Sequence, residues 1–161
     1  MQKVIVIGCP GSGKSTFSRA LSKKMGLPLY HLDLMKWNAD KTTVERPVFL
    51  ERLSAVLPLE KWIIDGNYGS TMEWRMEHCD TVFFLDFSTE DCLDGIEMRM
   101  GKERPDMPWV EMEHDKEFED YVRAFNTVQR PSILELLEKY KEKDIIILKN
   151  RAQVDEYLDL Y

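Results

Sequence analysis

Eight consecutive residues, Gly8-Cys9-Pro10-Gly11-Ser12-Gly13-Lys14-Ser15, hold the clearest capacity for chemistry in this chain. Their spacing, G-x-x-x-x-G-K-[ST], follows an apolar run and opens an amphipathic stretch. That is the setting in which such a loop holds phosphate. Glycines let the backbone take positive φ and bring its N–H groups close to oxyanions. The N-terminus of the following helix adds partial positive charge. Lys14 is then expected to reach the β- and γ-phosphates of a nucleotide, and Ser15 to offer its hydroxyl to Mg²⁺. The nucleotide-binding candidates are Gly8, Pro10, Gly11, Ser12, Gly13, Lys14, Ser15 and the adjoining Thr16. Cys9 reads as a small filler residue.

Two carboxylates follow apolar runs: Asp33 in Tyr30-His31-Leu32-Asp33, and Asp65 in Trp62-Ile63-Ile64-Asp65-Gly66-Asn67-Tyr68. If each closes a strand of a parallel sheet, both project at the carboxyl edge, where open α/β folds bind ligands. A carboxylate there can hold Mg²⁺ through water or accept the proton of an incoming hydroxyl. It can also simply cap a turn. Gly66 allows close backbone approach, and Asn67 and Tyr68 offer polar side chains to an acceptor. A cationic group, Arg99, Lys102 and Arg104 around Gly101, precedes Pro105-Asp106-Met107-Pro108 and reads as a short lid. Arginines on a closing lid supply positioning and charge stabilisation while excluding water. Arg123 and Arg130, two turns apart, either reach the cleft or pair with Glu119 and Glu135; Arg130 is kept as a catalytic candidate. His31 reads as a strand histidine with a local hydrogen bond. Trp37, Trp62, Trp74 and Trp109 read as core or rim, with Trp37 or Trp109 open to stacking on a substrate. The run Glu111–Asp120 reads as a solvated helix face.

Short apolar runs alternate with amphipathic stretches, which predicts α/β architecture with a parallel sheet. Strands are expected at Lys3–Ile7, Leu29–Leu32, Lys61–Ile64, Thr81–Leu85 and Asp144–Leu148. Unalternated runs such as Ile145-Ile146-Ile147-Leu148 suggest burial on both faces. Helices are expected at Lys14–Met25, Pro47–Val56, Thr71–Glu77, from Thr89 with Ser88 as N-cap, at Phe118–Lys141 with a bend at Pro131, and at Val154–Leu160.

The 161 residues carry 22 basic and 29 acidic side chains, a net charge of −7, with 43% hydrophobic and 32% charged residues. One domain over 1–161 is expected, burying roughly 70% of the surface its unfolded chain exposes. No apolar run approaches the roughly 20 residues of a membrane helix, and the N-terminus lacks a signal-peptide pattern. Three cysteines without C-x-x-C spacing argue against a disulfide framework or a four-ligand zinc site. An acidic balance disfavours direct nucleic-acid binding. A soluble cytoplasmic protein is expected, with its oligomeric state open.

The Gly8–Ser15 loop, Asp33, Asp65-Gly66, the strand ending Leu85-Asp86 and the Arg99/Arg104 lid, in that order, resemble the adenylate-kinase-like P-loop kinases over nearly the whole chain. The His-Leu-Asp, Asp-Gly-Asn-Tyr and arginine-proline segments are most similar to the bacterial "DNA topology modulation protein" group. The resemblance implies a three-layer fold, a five-stranded parallel sheet of order 2-3-1-4-5 with helices on both faces. It implies ATP and Mg²⁺, a lid near 99–118 and an acceptor-side segment near 36–60. It gives Asp65 a Walker-B-like role beside Ser15, gives Arg99 and Arg104 lid roles, and places Lys149 and Arg151 beside the adenine. Adenylate kinases continue Asp-Gly with Phe-Pro-Arg; here Asn67, Tyr68 and Gly69 stand instead, and Arg75 is the candidate replacement for that phosphate-gripping arginine. The leading expectation is a phosphotransferase from Mg-ATP to a nucleotide or other small molecule, using Lys14, Asp33, Arg99, Arg104 and Arg130. The alternative is an ATP-binding regulator without a phosphorylated product.

Overall fold

The computed structural model describes residues 1–161. Five strands, β1 (Lys3–Gly8), β2 (Leu29–His31), β3 (Trp62–Asp65), β4 (Thr81–Leu85) and β5 (Asp144–Leu148), form one sheet of order β2-β3-β1-β4-β5. Every pairing is parallel. Helices α1 (Lys14–Met25), α2 (Leu32–Lys36), α3 (Arg46–Val56), α4 (Gly69–His78), α5 (Thr89–Arg99), α6 (Lys116–Val128), α7 (Arg130–Lys139) and α8 (Arg151–Leu158) connect and cover it. No helix is long and apolar enough to cross a membrane.

The central strand carries the clearest burial. Val4, Ile5, Val6 and Ile7 have no exposed surface, as an unalternated apolar run between two helix layers requires. β5 is different: Ile147 is 41% exposed, because this strand has one neighbour and sits at the sheet edge. Its apolar run therefore overstated its burial.

Two local departures matter for the site. β2 ends at His31 and the chain turns at once into α2. Asp33 is therefore not a strand-end residue; it lies in the first turn of a five-residue helix, where an acidic side chain suits the positive helix terminus. The expected bent helix over Phe118–Lys141 is two helices broken at Gln129. Pro131 sits in the first turn of α7, where its missing N–H costs nothing. Arg123 and Arg130 thus share no face.

α5 comes unusually close to the loop between β1 and α1. A Cβ at Gly95 would run into the Gly11 carbonyl, and one at Gly11 into the Cys92 carbonyl. The two glycines let two backbones touch. Gly95→Ala is expected to displace the loop and weaken nucleotide binding about tenfold, roughly 1.4 kcal/mol, read by titration with ATP; unchanged affinity would remove this contact from the loop's support.

Candidate active site

The loop between β1 and α1 is held from three sides. Gly11 and Gly13 adopt φ of 86° and 89°, the left-handed conformation that brings successive N–H groups to one side. Asn67, just past β3, brackets Gly8: the Gly8 N–H donates to Asn67 Oδ1 at 3.0 Å and Asn67 Nδ2 donates to the Gly8 carbonyl at 2.5 Å. From α8, Arg151 donates to the carbonyls of Ser12 (2.8 Å) and Gly11 (3.2 Å) while stacking over Phe87. Lys14 Nζ rests on the Cys9 carbonyl at 3.2 Å. Burial lowers its pKa, opposed by the carboxylates of Asp33 and Asp65 among other groups.

The loop opens onto a cleft of about 1410 Å³ that also touches Asp33, Asp65, Gly66, Tyr68 and the lid. Asp33 Oδ1 accepts the Tyr68 hydroxyl at 2.6 Å. Burial raises the Asp33 pKa above the ordinary carboxylate value; Tyr68 and Lys14 pull it down, and Asp65 and Asp106 push it up. Asp65 lies opposite His31 in the β2–β3 register. His31 Nδ1 lies 2.9 Å from both Asp65 oxygens, so the ring is held with a proton on Nδ1 when the carboxylate is ionised. The histidine's bond is thus not local but orients a site carboxylate.

The segment between α5 and α6, expected as a lid, is irregular and closes on itself. Arg99 Nη2 and Arg104 Nη2 both reach Glu111 Oε1 at 3.1 Å, and the Gly101 N–H donates to the Glu111 carbonyl at 2.6 Å. Glu111 is therefore no solvated helix residue; α6 begins at Lys116, and this carboxylate is the hub of the lid. Arg99 Nε is buried without a partner.

Gly8 and Ser12 lie behind the loop's face, and three further sequence candidates lie outside the cleft. Arg130 forms a two-pronged pair with Asp86 at the end of β4, Nε to Oδ1 at 2.8 Å and Nη2 to Oδ2 at 2.9 Å. Its expected partner Glu135 is not used, because the helix break turns Arg130 toward the sheet. Lys149 is exposed and does not line the cleft. Arg75 has no exposed surface. Its guanidinium donates to the carbonyls of Gly66 (2.9 Å), Asn67 and Tyr68 (3.2 Å) and to Thr71 Oγ1 (3.3 Å). Burial lowers its pKa to about 9. It cannot grip a phosphate; it braces the turn that carries Asp65 to Tyr68. Asn67 is likewise spent on Gly8 rather than offered to an acceptor. Arg75→Ala would leave those carbonyls unpartnered beside a cavity and is expected to cost about 3–5 kcal/mol in chemical denaturation. A loss below about 1 kcal/mol would contradict the bracing role.

Sequence reasoning passed over Arg19. Its Nη1 donates to Ser15 Oγ at 2.5 Å and its Nη2 to Thr16 Oγ1 at 3.3 Å. The signal was its position one helical turn after Ser15. Gly95 was also missed, although an isolated glycine within a helical stretch marks close approach.

These residues fit a bound Mg-nucleotide. Ser12 Oγ is buried without a partner, and a Cβ at Gly13 would fill the cradle against Arg151. The Ser15 hydroxyl already receives a cationic donor. Ser15 and Asp65 line the same cleft and are the oxygen ligands it offers a hard dication, once Arg19 releases the hydroxyl.

No protein-family model and no curated protein sequence matches the chain, so the narrower grouping with topology modulation proteins gains no support. Solved structures do match. Shikimate kinase from Acinetobacter baumannii, in complex with shikimate, superposes with a TM-score of 0.65 at 16% identity, covering 99% of this chain and 90% of that one. Shikimate kinase from Bacteroides thetaiotaomicron gives 0.59 at 19% identity over 98% and 94%. The enzyme from Aquifex aeolicus gives 0.53 at 20% over 98% and 91%. At these identities the likeness is one of fold: the chain has a P-loop kinase fold.

Proposed function

We propose that this protein transfers the γ-phosphoryl group of Mg-ATP to a hydroxyl of a small molecule. The observation that carries the reading is one cleft shared by the phosphate-type loop with Lys14 and by Asp33, a half-buried carboxylate whose Oδ1 is held by Tyr68. The kinase names of the structural neighbours agree with it.

ATP phosphates would lie against the N–H groups of the loop. Lys14 would leave the Cys9 carbonyl to pair with the β- and γ-oxygens. Ser15, and Asp65 through water, would hold magnesium, which when bound neutralises the phosphate oxygens and fixes their orientation. Arg99 and Arg104 would turn from Glu111 toward the charge that builds on the transferring group. Arg151 keeps its bonds to the loop carbonyls. Tyr68 fixes Asp33 Oδ1, leaving Oδ2 to receive the acceptor's hydroxyl proton. The acceptor oxygen bonds to the γ-phosphorus as the bond to the β–γ bridging oxygen breaks, and ADP leaves. Catalysis of this kind is mostly positioning and charge stabilisation.

The test is coupled ADP release with Mg-ATP across hydroxylated small molecules, shikimate included, and nucleoside monophosphates, with Lys14→Ala as the blank. A specific acceptor that raises release above that blank is the expected result. Slow, acceptor-independent release across the panel, with ATP still bound, would sink the reading.

A further inference from the structure

The cleft holds carboxylates that receive few donors from the chain. Asp106, on the lid, is 6% exposed, yet its carboxylate accepts no hydrogen bond from the chain. Its one ion pair, to Arg104 Nη1, spans 3.7 Å. Asp106 and Asp33 both line the cleft. Asp33 itself has a single side-chain partner, Tyr68. Two carboxylates of one cleft thus receive few donors from the chain.

Aromatic surface completes the pocket. Trp37, which ends α2, and Trp109 of the lid meet across the cleft at 5.8 Å and 74°. The Trp109 ring already carries a cation: Lys41 Nζ stands 5.1 Å from its centroid. Trp109 Nε1 is buried without a partner. An ammonium over an indole beside a carboxylate is a favourable arrangement, and here the chain's own lysine makes half of it.

Of the cations near this part of the cleft, Lys102 is exposed and unpaired, and the others have partners. Arg75 is consumed by backbone carbonyls. Arg46 bonds Ser70 Oγ and Arg52 bonds the Met35 carbonyl, and neither lines the cleft. Arg99 and Arg104 share Glu111 and face the loop's phosphate chemistry. A phosphate or carboxylate on the acceptor would bring like charge toward Asp33 and Asp106, and like charges at an interface are discriminated against.

Resting on the phosphotransferase reading, we infer that the acceptor is an amine-bearing alcohol, such as an amino sugar or aminocyclitol. Its ammonium replaces Lys41 on the Trp109 face and lies against Asp106, and its hydroxyl is delivered to Asp33.

The experiment compares matched probes in coupled ADP release: glucosamine and an aminocyclitol, their deaminated parents, and glucose 6-phosphate and AMP. Quenching of tryptophan fluorescence by the same probes, with Mg²⁺ and a non-hydrolysable ATP analogue bound, gives affinity separately from turnover. The amines are expected to exceed their parents at least tenfold in kcat/KM. Asp106→Asn should remove that advantage by raising KM for the amine rather than lowering kcat. Lys41→Met, at an exposed position, should lower KM for the amine severalfold by vacating the indole. Parents equal to the amines, or a phosphorylated probe preferred to both, would overturn this inference and leave the kinase reading standing. No quenching and no acceptor-dependent ADP release from any probe, with ATP still bound, would overturn both.

Discussion

Lys14→Ala is expected to lower turnover about 10³-fold, roughly 4 kcal/mol of transition-state stabilisation, while the protein folds normally. Lys14 Nζ makes one hydrogen bond, to the Cys9 carbonyl at 3.2 Å, and burial already disfavours its charge. Removing it deletes a desolvated cation with little compensating bonding, so the fold loses little. What is lost appears only when negative charge enters the loop. The neighbouring carboxylates Asp33 and Asp65 make the loss larger, because without Lys14 they face the phosphates unbalanced. Arg151 cannot substitute, being tied to the Ser12 and Gly11 carbonyls. The measurement is single-turnover ADP formation together with ATP affinity and a thermal melt. A variant that melts like the parent but turns over within tenfold of it would remove Lys14 from the transition state.

Much of this architecture was legible because it is encoded locally. Val4–Ile7 reads as a buried strand from its own apolar run, and the spacing from Gly8 to Ser15 announces the loop and the helix it opens. Ser88 acts as the N-cap of α5, its side chain accepting the Asp91 N–H at 3.1 Å, as its residue type predicts. α2 was not legible, since five residues cannot display a helical period, and its absence put Asp33 at a strand end. The partners of the arginines were not legible either. Arg130 meets Asp86, 44 residues away, and Arg75 meets carbonyls rather than any carboxylate. Sequence supplies the cation but not which of several acceptors the fold turns toward it. Glu111 illustrates the same limit: an acidic run looks solvated until the lid folds one of its members against two guanidinium groups.

Asp33→Asn is expected to lower turnover about 10³-fold, the size of a positioned general base, with ATP affinity nearly unchanged. Tyr68 can still donate to the amide oxygen, so the pocket keeps its shape and the loss isolates the proton acceptor. The pH profile supplies an independent check. Burial raises the Asp33 pKa in the folded protein, and the active form is the carboxylate. Activity should therefore rise with pH through a value above the ordinary carboxylate range, and the asparagine variant should lack that limb. Stability must move the other way. A carboxyl whose folded pKa is raised binds protons more tightly in the native state, so its contribution to stability is fully present below the unfolded value. That contribution falls as pH rises through the folded pKa. At neutral pH the asparagine variant should thus unfold at denaturant concentrations equal to or higher than the parent, the difference vanishing in acid. A slow variant that is also less stable at neutral pH would mean that Asp33 holds the cleft together; a slow variant of undiminished stability leaves proton transfer as the function lost.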